Sequence, residues 1–148
     1  MKPFALLLFA IAISCAINAQ EKPRLNHIAL YVVDLKKSTE FYQQVVGLDT
    51  IPEPFHDGRH TWFSIGPLSH LHLISGANRI DTQNKNAHLC FTVPSVDRFI
   101  SNHLKKYNIP FESWAGEKGQ VTTRVDGVKQ IYFKDPDGYW VEINDATQ

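Results

Sequence analysis

His27-Ile28-Ala29-Leu30-Tyr31-Val32 and His88-Leu89-Cys90-Phe91-Thr92-Val93 are two copies of one pattern, 61 residues apart (88 − 27). At the same offset Asp34 matches Ser95, Leu35 matches Val96, and Gly47-Leu48 matches Asn108-Ile109. A repeat with this spacing predicts two equal supersecondary units. Each opens with a strand, because apolar and other residues alternate strictly: Ile28, Leu30 and Val32 take one face, His27, Ala29 and Tyr31 the other. Asp34 and Ser95 then cap helices, their side-chain oxygens accepting from free N–H groups of the first turn. Val96, Phe99, Ile100, His103, Leu104 and Tyr107 make the stripe of the second helix. Gly47 and Asn108 end the helices, being residue types that tolerate the left-handed conformation.

Three strands are expected after each helix. In the first unit they fall near 48–52, 59–65 and 70–74, and in the second near 109–114, 128–133 and 139–144. Asp135-Pro136-Asp137-Gly138 is the turn between the last two. An insertion at 116–127 reads as a mobile loop over a site. The fold class is therefore α+β, two βαβββ repeats (about 25–76 and 86–145) forming curved mixed sheets around a cleft, with helices on the outside.

The strand faces opposite the helices carry the chemistry. They hold His27 and Tyr31, His70 and His72, His88 and Cys90, and Trp140, Glu142 and Asn144. Each opening and closing strand thus presents an imidazole or a carboxylate. A buried unpaired carboxylate costs several kcal/mol, and a metal removes that cost. Three imidazoles and one carboxylate suit a single divalent ion (Zn, Ni, Fe(II), Co or Mn) with positions left for substrate. His27, His72, His88 and Glu142 are the candidate ligands, although His70 shares a face with His72 and can substitute for it. Tyr31, Arg59, Trp62, Arg124, Tyr132 and Trp140 are candidates for the substrate pocket. His56, His60 and His103 read as structural or solvated, and Cys90 as a small filler. Whether the two repeats pair within one chain or across a homodimer is left open by the sequence.

Composition sets the limits. The 148 residues suffice for one domain, 43% of them hydrophobic, with Lys+Arg and Asp+Glu balanced at 15 each. No basic run appears, so a small-molecule partner is expected rather than nucleic acid. Lys2, the apolar run from Phe4 to Ile13 and the small residues up to Ala19 have the layout of a signal peptide. Cleavage after Ala19 leaves a single domain, 20–148, without a transmembrane anchor, exported to the periplasm or secreted. Lipid attachment at Cys15 is the alternative, although Ala12-Ile13-Ser14 fits that signal only loosely, a Leu being usual three residues before the Cys. After cleavage Cys90 is the one thiol, and no internal disulfide can form.

Across about 25–145 the chain resembles the vicinal-oxygen-chelate superfamily, which includes glyoxalase I, methylmalonyl-CoA epimerase, extradiol dioxygenases, fosfomycin-resistance enzymes and bleomycin-resistance proteins. The matching pieces are Leu25-Asn26-His27-Ile28-Ala29-Leu30, Asp34-Leu35 with Phe41-Tyr42, Gly47-Leu48, His70-Leu71-His72-Leu73, Ala87-His88-Leu89, and Asp135 to Glu142. The resemblance implies His27, His72, His88 and Glu142 as ligands, the positions that strand alternation selects. It implies a metal-dependent lyase or isomerase of glyoxalase I type, with Glu142 or bound water moving the proton. Alternatives are a fosfomycin-resistance-like thiol transferase, an extradiol-type dioxygenase, or a non-catalytic drug- or metabolite-binding protein. The chain departs from glyoxalase I at His72, where that enzyme usually has Glu, and at Tyr31, where the bacterial enzyme has an Arg for glutathione. It departs from fosfomycin-resistance enzymes at Ala29, where they use Thr, and at Gly127-Val128-Lys129-Gln130, where they have a Ser-rich loop.

Overall fold

The computed structural model describes residues 22–147; the signal-peptide segment and Cys15 lie outside them. The first repeat runs β1 (His27–Val32), α1 (Leu35–Phe41), β2 (Thr50–Ile51), β3 (His60–Gly66) and β4 (Ser69–Ser75). The second runs β5 (His88–Thr92), α2 (Val96–Phe99), β6 (Thr122–Thr123), β7 (Lys129–Lys134) and β8 (Trp140–Asn144). They form two four-stranded mixed sheets of identical topology, β1-β4-β3-β2 and β5-β8-β7-β6. In each, the closing strand returns to lie parallel beside the opening strand, with Ala29 opposite His72 and Cys90 opposite Glu142.

The helices begin as the sequence predicts. The Asp34 carboxylate accepts from Lys37 N at 3.0 Å, and the Ser95 hydroxyl accepts from Arg98 N at 3.3 Å. Each then widens into a π-helical turn, Tyr42–Val46 and Ile100–Leu104, in which the amide of Lys105 reaches back five residues to the carbonyl of Ile100. Gly47 (φ 88°) and Asn108 (φ 54°) take the left-handed conformation expected of them.

Leu30, Val32, Phe63, Leu71 and Leu73 of the first sheet join Ile131, Phe133, Val141 and Ile143 of the second in one core with both helices. The helices touch each other, and Phe41 of α1 lies 6.1 Å, ring to ring, from Phe133 of β7. They are therefore outside only relative to the histidine-bearing faces; within the chain they meet at its centre. The Asp135-Pro136-Asp137-Gly138 turn is seated on the first repeat, where Tyr42 Oη donates to Asp135 at 2.9 Å and Val33 N to Asp137 at 2.7 Å.

The second repeat departs from expectation near 109–123. The segment expected as a strand at 109–114 meets β7 only at Glu112, which exchanges two 2.9 Å backbone bonds with Tyr132. Pro110 has no N–H to extend that ladder. Thr122–Thr123, inside the expected mobile loop, provides the edge strand instead, so the insertion is tied into the sheet.

A candidate metal centre in two halves

Because β1 and β4 are parallel neighbours in fixed register, His27 and His72 lie diagonally on one face. Their rings stack at 4.4 Å with 7° between planes. On the other side of His72 the Trp62 indole stacks at 3.9 Å and 3°. The His27 ring bonds through Nδ1 to Asn26 Oδ1 at 2.8 Å, so Nε2 keeps its lone pair free. His72 is 8% exposed, and its Nε2 is buried without a hydrogen-bond partner. Burial, followed by the charges of His27, His70 and His60, lowers the His72 pKa, which favours the neutral ring a metal needs.

The second sheet repeats the arrangement. His88 Nδ1 lies 2.7 Å from the Lys85 carbonyl oxygen, which only accepts, so Nδ1 carries the proton. His88 Nε2 then faces Glu142 Oε2 at 3.0 Å. In the neutral ring these are two acceptors pointed at each other, an arrangement that a proton or a cation between them relieves. Glu142 is 5% exposed and held from the other side: Tyr132 Oη donates to Oε2 at 2.7 Å and Asn144 Nδ2 to Oε1 at 2.9 Å. Burial would raise the Glu142 carboxyl, but hydrogen bonds from Asn144, Tyr132 and Cys90 outweigh it and keep the group below the ordinary carboxylate range. Cys90 is an exposed residue overall, yet its sulfur sits against Glu142 and Asn144. Burial of the thiol and the neighbouring Glu142 charge push it up to about 12, so in the metal-free chain it is a neutral donor to Glu142.

His27 and His72 thus present an Nε2 without a partner, His88 turns its Nε2 to Glu142, and that carboxylate is held ionised. That donor set fits a divalent cation. Among the described residues, however, no three His, Cys, Asp or Glu side chains stand close enough to share an ion. His27 and His72 form one half-centre and His88 and Glu142 the other, on sheet faces turned away from the common core.

The predicted pocket residues divide the same way. Tyr31, 52% exposed, and Trp62 flank the His27–His72 half, and Arg59 is bonded to the Ser75 carbonyl at 3.2 Å. Tyr132 and Trp140 face the Glu142 half, while Arg124 is committed to Asp126 at 2.6 Å. His70 stacks 6.0 Å from His72, and none of its ring atoms is buried without a partner. His60 is bonded to Asp57, and His103 stacks on Phe99, both as structural residues. Sequence reasoning missed Asn26, Asn144 and Lys85 as partners of the ligands. Asn144 was signalled by its place two residues beyond Glu142 on the same face. The Lys85 contribution is a backbone carbonyl, which leaves no mark in the sequence.

With this geometry in view, the whole domain can be placed. Residues 24–143 match the model of the Glyoxalase/Bleomycin resistance protein/Dioxygenase superfamily. The chain belongs to that superfamily, whose proteins typically bind a divalent metal, act on small molecules and often form dimers. It is 28% identical over 127 residues to the metallothiol transferase FosB of Lysinibacillus sphaericus (strain C3-41), covering 83% of this chain and 82% of the relative. It is 27% identical over 155 residues to the lactoylglutathione lyase of Pseudomonas putida, covering 82% and 84%. Among solved structures, Oxidase ChaP-H2 superposes with a TM-score of 0.69 at 23% identity, covering 86% of this chain and 96% of that one, a likeness of fold.

Proposed function

We propose that the protein is a metal-dependent enzyme acting on a small oxygen-chelating substrate, a lyase or isomerase of the lactoylglutathione-lyase kind. The observation that carries this reading is the confrontation of His88 Nε2 with Glu142 Oε2 at 3.0 Å, matched by the unpartnered Nε2 of His72. His27, His72, His88 and Glu142 would hold the ion, which when bound supplies Lewis-acid polarisation of a substrate oxygen. Glu142 would be the proton carrier, its carboxylate accepting the carbon-bound proton. Tyr132 and Asn144 fix the orientation of its two oxygens during that transfer.

We further propose that the working centre assembles between two copies, the β1–β4 face of one against the β5–β8 face of the other. In the single chain the first face is exposed at His27 and Tyr31, and the second at His88 and Cys90. Complementation tests this. His27→Ala and His88→Ala chains, each inactive alone, should recover activity when refolded together, because one of the two centres in a mixed dimer is then fully native. Absence of recovery, with mixed dimers demonstrated, would refute a shared centre.

The second reading is a metallothiol transferase, favoured by the FosB similarity. Solvent deuterium entering the substrate carbon without a thiol co-substrate supports the isomerase; strict dependence on a thiol supports the transferase. The native protein should begin near Gln20 when isolated from outside the cytoplasm, which mass spectrometry of the intact chain would check.

A further inference from the structure

Beside the Glu142 half-centre the second repeat forms an open-sided cavity of about 570 Å³, running along the ends of β7 and β8. Its apolar wall comes from Ile109, Phe111, Phe133 and Trp140. Tyr132 is part of the same lining, and its hydroxyl is bonded to Glu142, so this residue adjoins both the cavity and the carboxylate. The volume is that of a site for a small organic ligand.

The charge on this cavity is one-sided. Lys118 and Lys134 line it, and neither forms an ion pair among the described residues. Lys134 Nζ is instead poised 4.8 Å above the Trp140 ring. The carboxylate in the lining, Glu112, is already neutralised by Lys85, whose ammonium is also bonded to the carbonyls of Ser113 and Trp114. Nearby Glu117 accepts from the Ser113 hydroxyl. Two cations without a carboxylate partner among the described residues, over an apolar hollow, select a ligand with an apolar body and an anionic end.

We propose that this cavity binds the tail of an amphipathic anion, an apolar chain ending in a carboxylate or phosphate, with the substrate's reacting end at Glu142. That the tail belongs to a substrate rests on the metal-centre reading; the cavity's preference for anions does not. Octanoate, octyl phosphate, octan-1-ol and octyltrimethylammonium are the probes, titrated calorimetrically into the full chain in the presence of a chelator. Both anions should bind roughly tenfold more tightly than the alcohol, and the cation more weakly still. The Lys118→Ala/Lys134→Ala double variant should bind anions and alcohol alike, and the corresponding double Arg variant should keep the preference. His88→Ala should retain it too, so that loss of the metal centre and loss of the cavity are read separately. Equal affinity for anion and alcohol in the native chain, no binding of either anion, or a preference surviving the double Ala change would overturn the assignment. If octyl phosphate alone binds, the anionic end is a phosphate; if octanoate alone binds, it is a carboxylate.

Discussion

Ser38 in the first helix donates a 2.5 Å hydrogen bond to the carboxylate of Asp137, 99 residues later in the second repeat, and Ser38 is completely buried. The contact locks the two repeats into one core. Ser38→Ala would leave a buried carboxylate oxygen without its donor, a loss of about 1–3 kcal/mol. The expected outcome is a lower urea midpoint with an unchanged denaturant slope, measured by circular dichroism.

The neighbouring Asp135 gives the fold a dependence on pH. Burial pushes its carboxyl up to about 6, against hydrogen bonds from Tyr42 and from the amides of Tyr139 and Asp137 that pull it down. A folded-state value above the unfolded one means that Asp135 contributes most when protonated, below about pH 4, and that this contribution is lost as pH rises through about 6. Asp135→Asn should therefore change stability at pH 7 relative to wild type by up to about 3 kcal/mol in the favourable direction compared with its effect at pH 4. Paired denaturation curves at the two pH values would show a constant difference if the group does not titrate in this window.

Metal content should follow the four ligand positions. His88→Ala should abolish binding of one ion per centre, measured by elemental analysis of purified protein. Glu142→Gln should weaken it strongly by removing the anionic ligand. Cys90→Ala should change it little, since Cys90 is a small filler outside the four ligand positions. A native protein that takes up no metal under loading conditions would promote a binding-protein function over catalysis.

Trp62 holds the His72 ring in place by a 3.9 Å stack. Trp62→Leu should retain folding and reduce metal affinity by roughly tenfold, the usual effect of losing a group that orients a ligand. Competition with a chromophoric chelator would measure this, and an unaltered affinity would show that the β4 register alone fixes the ring.

Much of this was legible in the sequence because two periodicities coincide. Strand alternation put His27, His72, His88 and Glu142 on the faces opposite Leu30, Leu71, Leu89 and Ile143, and the 61-residue repeat fixed the number of strands. Alternation is a local rule, and so it could select faces without saying which face meets which. The division into halves depends on long-range contacts such as Ser38 with Asp137 and Phe41 with Phe133, which no window of sequence contains. The edge strand was misplaced for a related reason: β propensity near Phe111 was real, but Pro110 removed a donor and Thr122 took the vacant edge.

The register of β8 has a consequence for error. Val141 and Ile143 are wholly buried on one side of the strand, and Glu142 is on the other. A slip by one residue would drive the carboxylate into the oily interior and push two aliphatic groups out, an exchange the chain cannot tolerate. The core thus proofreads the donor set: a molecule that has folded at all has its acid opposite Cys90 and beside His88. Misassembled copies fail as proteins before they can act as faulty catalysts.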